Sequence, residues 1–320
     1  MVNYHRSYVS LKESTKKDII RSIEEGNVVR GKNVYNLERM FMKKFDVRHA
    51  IACNTCTSGL IIALKVLCGK LYAKHNSMHV SLPAFTWFST GYAVDCSGVD
   101  KNFVDINKDT WLAEPDPVSE AIFVSVDVFG SMSKPYAGSE VLYDAAHGFG
   151  LSELGHRGII EVVSLSFTKI VQGMQGGVIL TEDDYLAEDM KDYVNNYAKL
   201  CETNAAVAIQ SMNDFEKNNE QRRRNIDYYR SNLNINFTEQ KIPYETNYSV
   251  YAILFDSMIE RDKVISCLES NDVETKVYYK PLIDTLPNTN DVYSRILALP
   301  VYPGVEEHLP FICKTINEAL

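Results

Sequence analysis

The chain has no long hydrophobic run and no targeting segment. No apolar stretch in its 320 residues reaches the roughly 20 residues that a membrane-spanning helix requires. The first residues, Met1 to Arg6, lack the apolar core of a secretory signal peptide. We therefore expect a cytoplasmic protein that has no membrane partner.

Positive charge is also scarce. The chain has 33 Lys and Arg residues against 42 Asp and Glu residues, which gives a net charge of -9. This balance leaves no basic excess to neutralise phosphates, so nucleic acid is not an expected partner. The one basic run, residues 222–224, lies in a helical pattern that also carries Glu216 and Glu220, and it is typical of a solvated helix face.

The seven cysteines are scattered and odd in number, which is not typical of a disulfide framework. Cys53 and Cys56 have the spacing of a redox or zinc pair, but no second pair follows, and we expect no metal site. Hydrophobic content of 45% and charged content of 23% are ordinary for a soluble globular protein. A chain of this length is expected to divide into two domains.

Short apolar runs alternate with helical patterns over the first 180 residues. Strands are predicted at residues 50–53, 79–82, 102–105, 121–126, 140–143, 159–163 and 178–180. Helices are predicted at residues 11–25, 33–45, 60–67, 88–96, 185–196 and 205–233. In the first helix Ile19, Ile20 and Ile23 fall near one face, and the last is expected to be one long helix that connects two halves. The alternation predicts an α/β fold with a mostly parallel sheet.

The last quarter of the chain has a different pattern. Residues 234–247 are polar and irregular, which indicates a boundary. Beyond them we predict a strand at 249–255, a helix at 261–270, a strand-like segment at 274–279 and a closing helix. The sequence therefore predicts a large domain over residues 1–233 and a small α+β domain over residues 234–320.

Lys169 is the first candidate for catalysis. The segment from Ser164 to Lys169 follows a predicted strand and precedes the pair Gly176 and Gly177. A lysine amine can form a Schiff base with an aldehyde cofactor, and the Ser164 hydroxyl can hold that cofactor's phosphate. The glycines would let the backbone pass close to the cofactor. A solvated loop lysine is the plain alternative.

A candidate anion site lies at residues 54–59, between a predicted strand and a predicted helix. Free amides at a helix N-terminus favour negative charge. Thr55, Thr57 and Ser58 add hydroxyl donors. The pattern indicates a phosphate site, with ordinary helix capping as the alternative.

Two further candidates stand at the carboxyl ends of predicted strands. Trp87 is placed to stack on a flat cofactor, although core packing is the commoner role of tryptophan. Asp144 is placed to bind a ligand and, facing a pyridine nitrogen, would keep that nitrogen protonated. Asp144 is equally compatible with a helix cap.

These segments, in this order, resemble the DegT/DnrJ/EryC1/StrS family, whose members are fold-type-I pyridoxal phosphate (PLP) enzymes, mostly aminotransferases that act on nucleotide-linked keto-sugars. The resemblance runs from about Tyr8 to the C-terminus. It is carried by the glycine loop at 26–31, the phosphate turn at 54–59, the Pro-x-x-Thr-aromatic segment at 83–87, the segment 103–110, the Asp-Ala-Ala-His motif at 144–147, the Ser-x-x-x-Thr-Lys motif at 164–169 and the Leu-Pro-x-Tyr-Pro motif within 297–304.

The resemblance implies a fold and a set of site residues. The fold would be a mostly parallel, seven-stranded-type sheet with helices on both faces, followed by a smaller α+β domain. Lys169 would carry PLP and relay protons, Asp144 would pair with the pyridinium nitrogen, and Trp87 would stack on the ring. His147 would lie near the phenolic oxygen. The phosphate would be held by Cys56, Thr57 and Ser164, partly through backbone amides.

The resemblance also implies the reaction and the partners. It implies a homodimer with shared active sites, glutamate as amino donor and a nucleotide-linked 3- or 4-keto-6-deoxyhexose as acceptor, with O-antigen or lipopolysaccharide biosynthesis as the setting. Lysine at 169 favours transamination, because a histidine there marks the family's dehydrating members. Weaker candidates for substrate contacts are Arg6, Arg30 and Tyr279.

Two departures from the family pattern leave alternatives open. The segment 195–204 is short and lacks the Asn-Tyr-Arg motif that reaches the partner subunit's phosphate, and Tyr278 stands where a histidine is common. The first alternative is an aminotransferase that acts on a ketone without a nucleotide, such as a cyclitol. The second is a non-catalytic PLP-binding sensor with the same fold.

Overall fold

The computed structural model describes residues 1–5, 10–72, 79–113, 122–134 and 140–320. Its helices are α1 (Glu13–Glu24), α2 (Lys32–Phe45), α3 (Cys56–Tyr72), α4 (Phe88–Ser97), α5 (Asp184–Tyr197), α6 (Glu202–Asn213), α7 (Phe215–Asn232), α8 (Met258–Ser270), α9 (Pro287–Arg295) and α10 (Leu309–Ala319). Its strands are β1 (His49–Cys53), β2 (His79–Pro83), β3 (Asp100–Val104), β4 (Ile122–Val126), β5 (Val141–Asp144), β6 (Ile160–Ser164), β7 (Gly177–Thr181), β8 (Thr238–Glu239), β9 (Tyr251–Leu254) and β10 (Ile296–Leu299).

A seven-stranded sheet has the order β1-β7-β6-β5-β4-β2-β3. The strands from β2 to β6 pair in parallel, whereas β7 is antiparallel to both of its neighbours. Ile51 packs in one hydrophobic cluster, and its neighbours Ala50 and Ala52 pack in another. Because successive side chains of a strand point to opposite faces, both faces of the sheet are covered. The predicted α/β fold is confirmed.

A second sheet of three antiparallel strands has the order β10-β9-β8. It packs with α8 and α10 in a third hydrophobic cluster. That cluster also takes in Val2 from the start of the chain and Ile226 and Tyr229 from α7. The division of the chain after residue 233 stays a prediction.

The expectation of one helix over residues 205–233 is wrong. Helix α6 ends at Asn213, and Asp214, with φ −94° and ψ 0°, separates it from α7. Asn and Asp side chains favour turns over helix interiors. The break turns Phe215 towards Phe149, where the two ring centroids lie 4.9 Å apart.

Other boundaries also differ from expectation. Helix α3 begins at Cys56 and not at residue 60, because the Thr55 hydroxyl accepts a hydrogen bond from the Ser58 amide at 2.9 Å and caps the helix. Residues 274–279 form no strand apart from an isolated bridge at Lys276, since the tyrosines at 278 and 279 pack on aromatic rings instead. The pattern did not predict α9, β8 or β10.

Two helix faces differ from what the pattern suggests. In α1 the buried residues are Thr15 and Ser22, whereas Ile20 and Ile23 on the isoleucine face are exposed. The expectation that the basic run is a solvated face is wrong at Arg222, which is only 8% exposed. Periodicity within a helix does not identify the surface against which the helix packs.

A buried ion cluster lies under the sheet's carboxyl edge. Arg157 donates to both carboxylate oxygens of Asp127 at 2.8 Å and to Glu161 Oε2 at 2.6 Å. None of the three side chains is more than 1% exposed. The Asp127 carboxylate also lies against Gly148, where a Cβ atom would come within 2.8 Å of Oδ2. The cluster therefore supports the turn that follows β5.

We expect Arg157→Met to lower the free energy of unfolding by about 3–5 kcal/mol, since it leaves two carboxylates buried without their cation. Urea unfolding of the purified protein measures the change. Arg224→Met is the matched control, because Arg224 forms an exposed pair with Glu220, and such pairs contribute little. Equal stability of the two variants would contradict the role given to the buried cluster.

Candidate active site

Lys169 lies in the turn that connects β6 with β7. The turn is held by backbone hydrogen bonds from Lys169 to Ser166 at 2.9 Å and from Phe167 to Met174 at 2.9 Å. The Lys169 Nζ atom lies 2.7 Å from His147 Nε2. Burial lowers the pKa of Lys169 to about 8, while Cys56 and Asp144 act in the opposite direction. The amine is therefore easier to deprotonate than an ordinary lysine.

His147 follows β5 and connects three parts of the chain. Its Nδ1 atom lies 2.8 Å from the Ser249 hydroxyl, and its Nε2 atom lies 3.3 Å from the Tyr279 hydroxyl as well as beside Lys169. Burial, followed by the charge of Lys169, lowers the pKa of His147 well below its usual range. A neutral imidazole that donates Nδ1–H to Ser249 presents Nε2 as an acceptor to Lys169 and Tyr279.

Asp144 ends β5 with its carboxylate buried, and its side chain is only 4% exposed. Its Oδ2 atom accepts a hydrogen bond from the Thr90 hydroxyl at 2.7 Å, and Oδ1 accepts one from the Ala146 amide at 3.1 Å. Burial raises the pKa of Asp144, although the bond from Thr90 and the charge of Lys169 oppose the shift. A cation placed beside this carboxylate would keep it ionised.

The residues predicted to hold a phosphate meet around Gly177. A Cβ atom at Gly177 would lie 2.8 Å from both Cα and N of Cys56, at the first turn of α3. Ser164 pairs with Gly177 across the β6–β7 ladder. Thr57 lies in the same turn of α3, where its hydroxyl contacts Ser89 at 3.0 Å. The first amides of a helix have no intrahelical acceptor, so this turn presents donors to an anion.

Trp87 immediately precedes α4 and is not a core residue. Its side chain is 60% exposed. Its ring centroid lies 6.4 Å from those of Tyr278 and Tyr279. Tyr279 also contacts His147, so it connects the exposed indole to the Lys169–His147 pair.

The three weaker candidates for substrate contacts have different outcomes. Tyr279 belongs to the site through its contact with His147. Arg30 lies in the glycine loop, where its amide bonds to Leu200 and its φ is 51°. Within the described ranges, its Nη1 atom is buried without a hydrogen-bond partner, and no contact joins it to Lys169. Arg6 lies outside the described residues.

Sequence reasoning missed three residues of this site. Thr90 bonds to Asp144, Ser249 bonds to His147, and Arg222 donates to the Ser249 carbonyl oxygen at 3.1 Å. Thr90 lies one helical turn after Trp87, which is a weak local signal. Nothing local marks the other two, because their contacts span 27 and 102 residues of sequence.

The donor set fits PLP. An amine is present for the aldehyde, a buried carboxylate for the pyridine nitrogen and a helix N-terminus for the phosphate. The absence of a Cβ atom at Gly177 keeps β7 close to the helix turn that would receive the phosphate. Two neighbouring strands end in Asp144 and Ser164, and Lys169 lies in the turn that follows the second strand.

Several known proteins with similar sequences or folds are named as aminotransferases. The chain matches the DegT/DnrJ/EryC1/StrS aminotransferase family over residues 9–316. The dTDP-4-amino-4,6-dideoxy-D-glucose transaminase of Escherichia coli is 24% identical, with 85% of this chain and 86% of that protein covered. A family aminotransferase from Brucella abortus has a TM-score of 0.83 at 22% identity, with 95% and 94% of the two chains covered. Helicobacter pylori PseC, an aminotransferase of pseudoaminic acid biosynthesis, has a TM-score of 0.85 at 17% identity, with 97% and 96% covered.

The family match and the fold agree with the residues assembled at the sheet edge. They confirm the predicted enzyme class and cofactor. The chain belongs to the DegT/DnrJ/EryC1/StrS aminotransferase family and is a PLP-dependent aminotransferase.

Proposed function

We propose that the protein transfers an amino group from glutamate to a nucleotide-linked 3- or 4-keto-6-deoxyhexose. The observation that carries the proposal is the Lys169 amine, partly freed of its proton by burial and held 2.7 Å from His147. The relative from Escherichia coli is named for a dTDP-linked amino sugar, which supports this class of acceptor. No particular contact in the described residues favours a cyclitol.

The Lys169 amine would hold the cofactor through its aldehyde and, once released by the incoming amino group, would be free to take and return a proton. PLP, when bound, supplies an electron sink for the electron pair left on the substrate carbon. A pKa of about 8 lets Lys169 both take and give a proton near neutral pH. Asp144, buried at the end of β5, would pair with the protonated ring nitrogen.

The remaining residues would orient the cofactor. The amides of Cys56 and Thr57 and the Ser164 hydroxyl would hold the phosphate at the start of α3. Trp87 would cover one face of the ring with its exposed indole. His147, whose Nε2 atom lies 2.7 Å from Lys169 Nζ, would hold the amine in place beside the ring.

Separate half-reactions test the proposal. We expect glutamate to convert the PLP form of the enzyme to its amine form, and a dTDP-linked 4-keto-6-deoxyhexose to convert it back. Absorbance follows both steps, and product analysis identifies the aminated sugar. Lys169→Ala should lose both half-reactions, since it removes the proton carrier. Turnover with an inositol-derived ketone, and none with nucleotide-linked sugars, would favour the cyclitol alternative.

The pH dependence of cofactor capture tests the state of Lys169. We expect the rate at which apoenzyme captures PLP covalently to rise with pH through about 8 and then level off, because burial lowers the pKa of Lys169. Below that pH the amine is protonated and does not attack an aldehyde. The growth of the bound cofactor's absorbance measures the rate. A midpoint at about 10.4, the value of an exposed lysine, would contradict the assignment.

We propose that the enzyme is a homodimer whose interface includes an exposed aromatic face, formed by Phe88, Tyr92, Tyr193 and Tyr197. The rings of Phe88 and Tyr92 stack 5.8 Å apart on α4, and those of Tyr193 and Tyr197 lie 6.2 Å apart on α5. Both helices pack against α3. An exposed apolar patch of this kind is typical of an interface. Since Phe88 follows Trp87 directly, the partner subunit would border the active site.

Sedimentation equilibrium tests the dimer. We expect wild-type protein to sediment as a dimer and the double variant Phe88→Glu/Tyr197→Glu to sediment as a monomer, because two carboxylates cannot be buried in an apolar contact. Tyr185→Glu is the matched control, since Tyr185 is an exposed tyrosine of α5 outside the aromatic face. A double variant that stays dimeric would place the interface elsewhere.

A further inference from the structure

Arg222 is a buried cation without an acidic partner. Its side chain donates one hydrogen bond, from Nη1 to the Ser249 carbonyl oxygen at 3.1 Å. Within the described ranges, no carboxylate lies within ion-pair distance of it. A guanidinium has five N–H donors, so most of its hydrogen-bonding capacity is left. Burial lowers the pKa of Arg222 to about 10.

The contrast with Arg157 shows that this chain can match a buried arginine with carboxylates. Arg157 has both Asp127 and Glu161 as partners. A buried charge without a counterion is costly to stability. Among the described residues Arg222 therefore lacks a negatively charged partner, which an anionic ligand would supply.

Arg222 is connected to the reacting amine through two intervening residues. The Ser249 residue that accepts its hydrogen bond contacts His147 through its hydroxyl at 2.8 Å, and His147 contacts Lys169. Burial and then the charges of Lys169 and Arg222 lower the pKa of His147, whereas burial lowers the pKa of His5 to about 4 and leaves that imidazole neutral. Two cationic side chains therefore act on one neutral imidazole, and together they favour an anion nearby.

We propose that Arg222 binds a carboxylate of the amino donor. The inference rests on the proposed transamination, in which an amino acid delivers its amino group at Lys169. The planar guanidinium fork matches a carboxylate in two parallel hydrogen bonds. Ser249 holds the guanidinium from one side through its carbonyl oxygen, which leaves the fork's other donors for the ligand. The sugar nucleotide carries a diphosphate and no carboxylate, and on this proposal its diphosphate is bound away from Arg222.

A purely structural role for Arg222 is the competing explanation. In that role the side chain would only tie α7 to the segment before β9. Loss of the side chain would then weaken folding and impair both half-reactions together. A donor-binding role predicts that only the half-reaction with the amino acid changes, because the nucleotide sugar is bound by other groups.

The two half-reactions of the holoenzyme separate these explanations. We expect Arg222→Gln to raise the KM for glutamate at least tenfold, because the variant loses a charge-assisted hydrogen bond to the carboxylate. The KM for the sugar nucleotide should stay unchanged. Arg222→Lys keeps the charge without the fork and should fall between wild type and Arg222→Gln. Arg223→Met is the matched control, since Arg223 is the exposed neighbour on the same helix.

A binding measurement completes the test and does not depend on turnover. We expect glutarate to raise the melting temperature of wild-type holoenzyme but not that of Arg222→Gln, and a crystal structure with glutarate to place a carboxylate on the Arg222 guanidinium. Parallel losses of both half-reactions in folded variants would overturn the inference. If the variants fold poorly, the crystal structure of the wild-type enzyme decides, and glutarate bound elsewhere would overturn the inference. If wild-type enzyme ignores glutamate but accepts another amino acid, the proposed donor is wrong, and the same comparison is made with that amino acid.

Discussion

The close approach of β7 to the N-terminus of α3 is the constraint on which the site depends. Gly177 pairs with Cys53 of β1 on one side and with Ser164 of β6 on the other. A side chain at Gly177 would collide with the backbone of Cys56. Only glycine lets the strand that leads out of the Lys169 turn pass beside the helix turn that would receive a phosphate. The lysine and the anion site are therefore set by one contact in the sheet.

The molecule contains buried charges that its own side chains neutralise and buried charges that they do not. Around Arg157 the chain supplies both carboxylates, which leaves the cluster satisfied by its own side chains. Around Lys169 and Arg222 it supplies basic groups in excess, and burial lowers the pKa of both. Native stability is lost where charges are left unmatched. The unmatched charges coincide with the place where an anionic cofactor and an anionic amino donor would bind.

Local patterns in the sequence identified the site residues that lie at, or just after, the ends of predicted strands. Asp144 and Ser164 end neighbouring strands of a mostly parallel sheet and Lys169 lies in the turn after the second, so the predicted alternation placed these three at one edge of the sheet. The place of His147 in the site was implied by the family resemblance. Reasoning from local patterns failed for Arg222, which belongs to a basic run and was expected to be solvated. Its burial is decided by the packing of α7 against the segment before β9, and periodicity within a helix does not contain that information.

Ser249 connects the residues that the sequence analysis identified, His147 and Lys169, with Arg222, which it did not. Its hydroxyl fixes His147, which faces Lys169, and its carbonyl oxygen fixes Arg222. A displacement of this one residue would therefore move the imidazole and the guanidinium together. Ser249 lies in the chain after the predicted domain boundary, whereas His147 and Lys169 lie before it. The orientation of the amine and the proposed capture of the donor carboxylate thus depend on the same contact between the two halves of the chain.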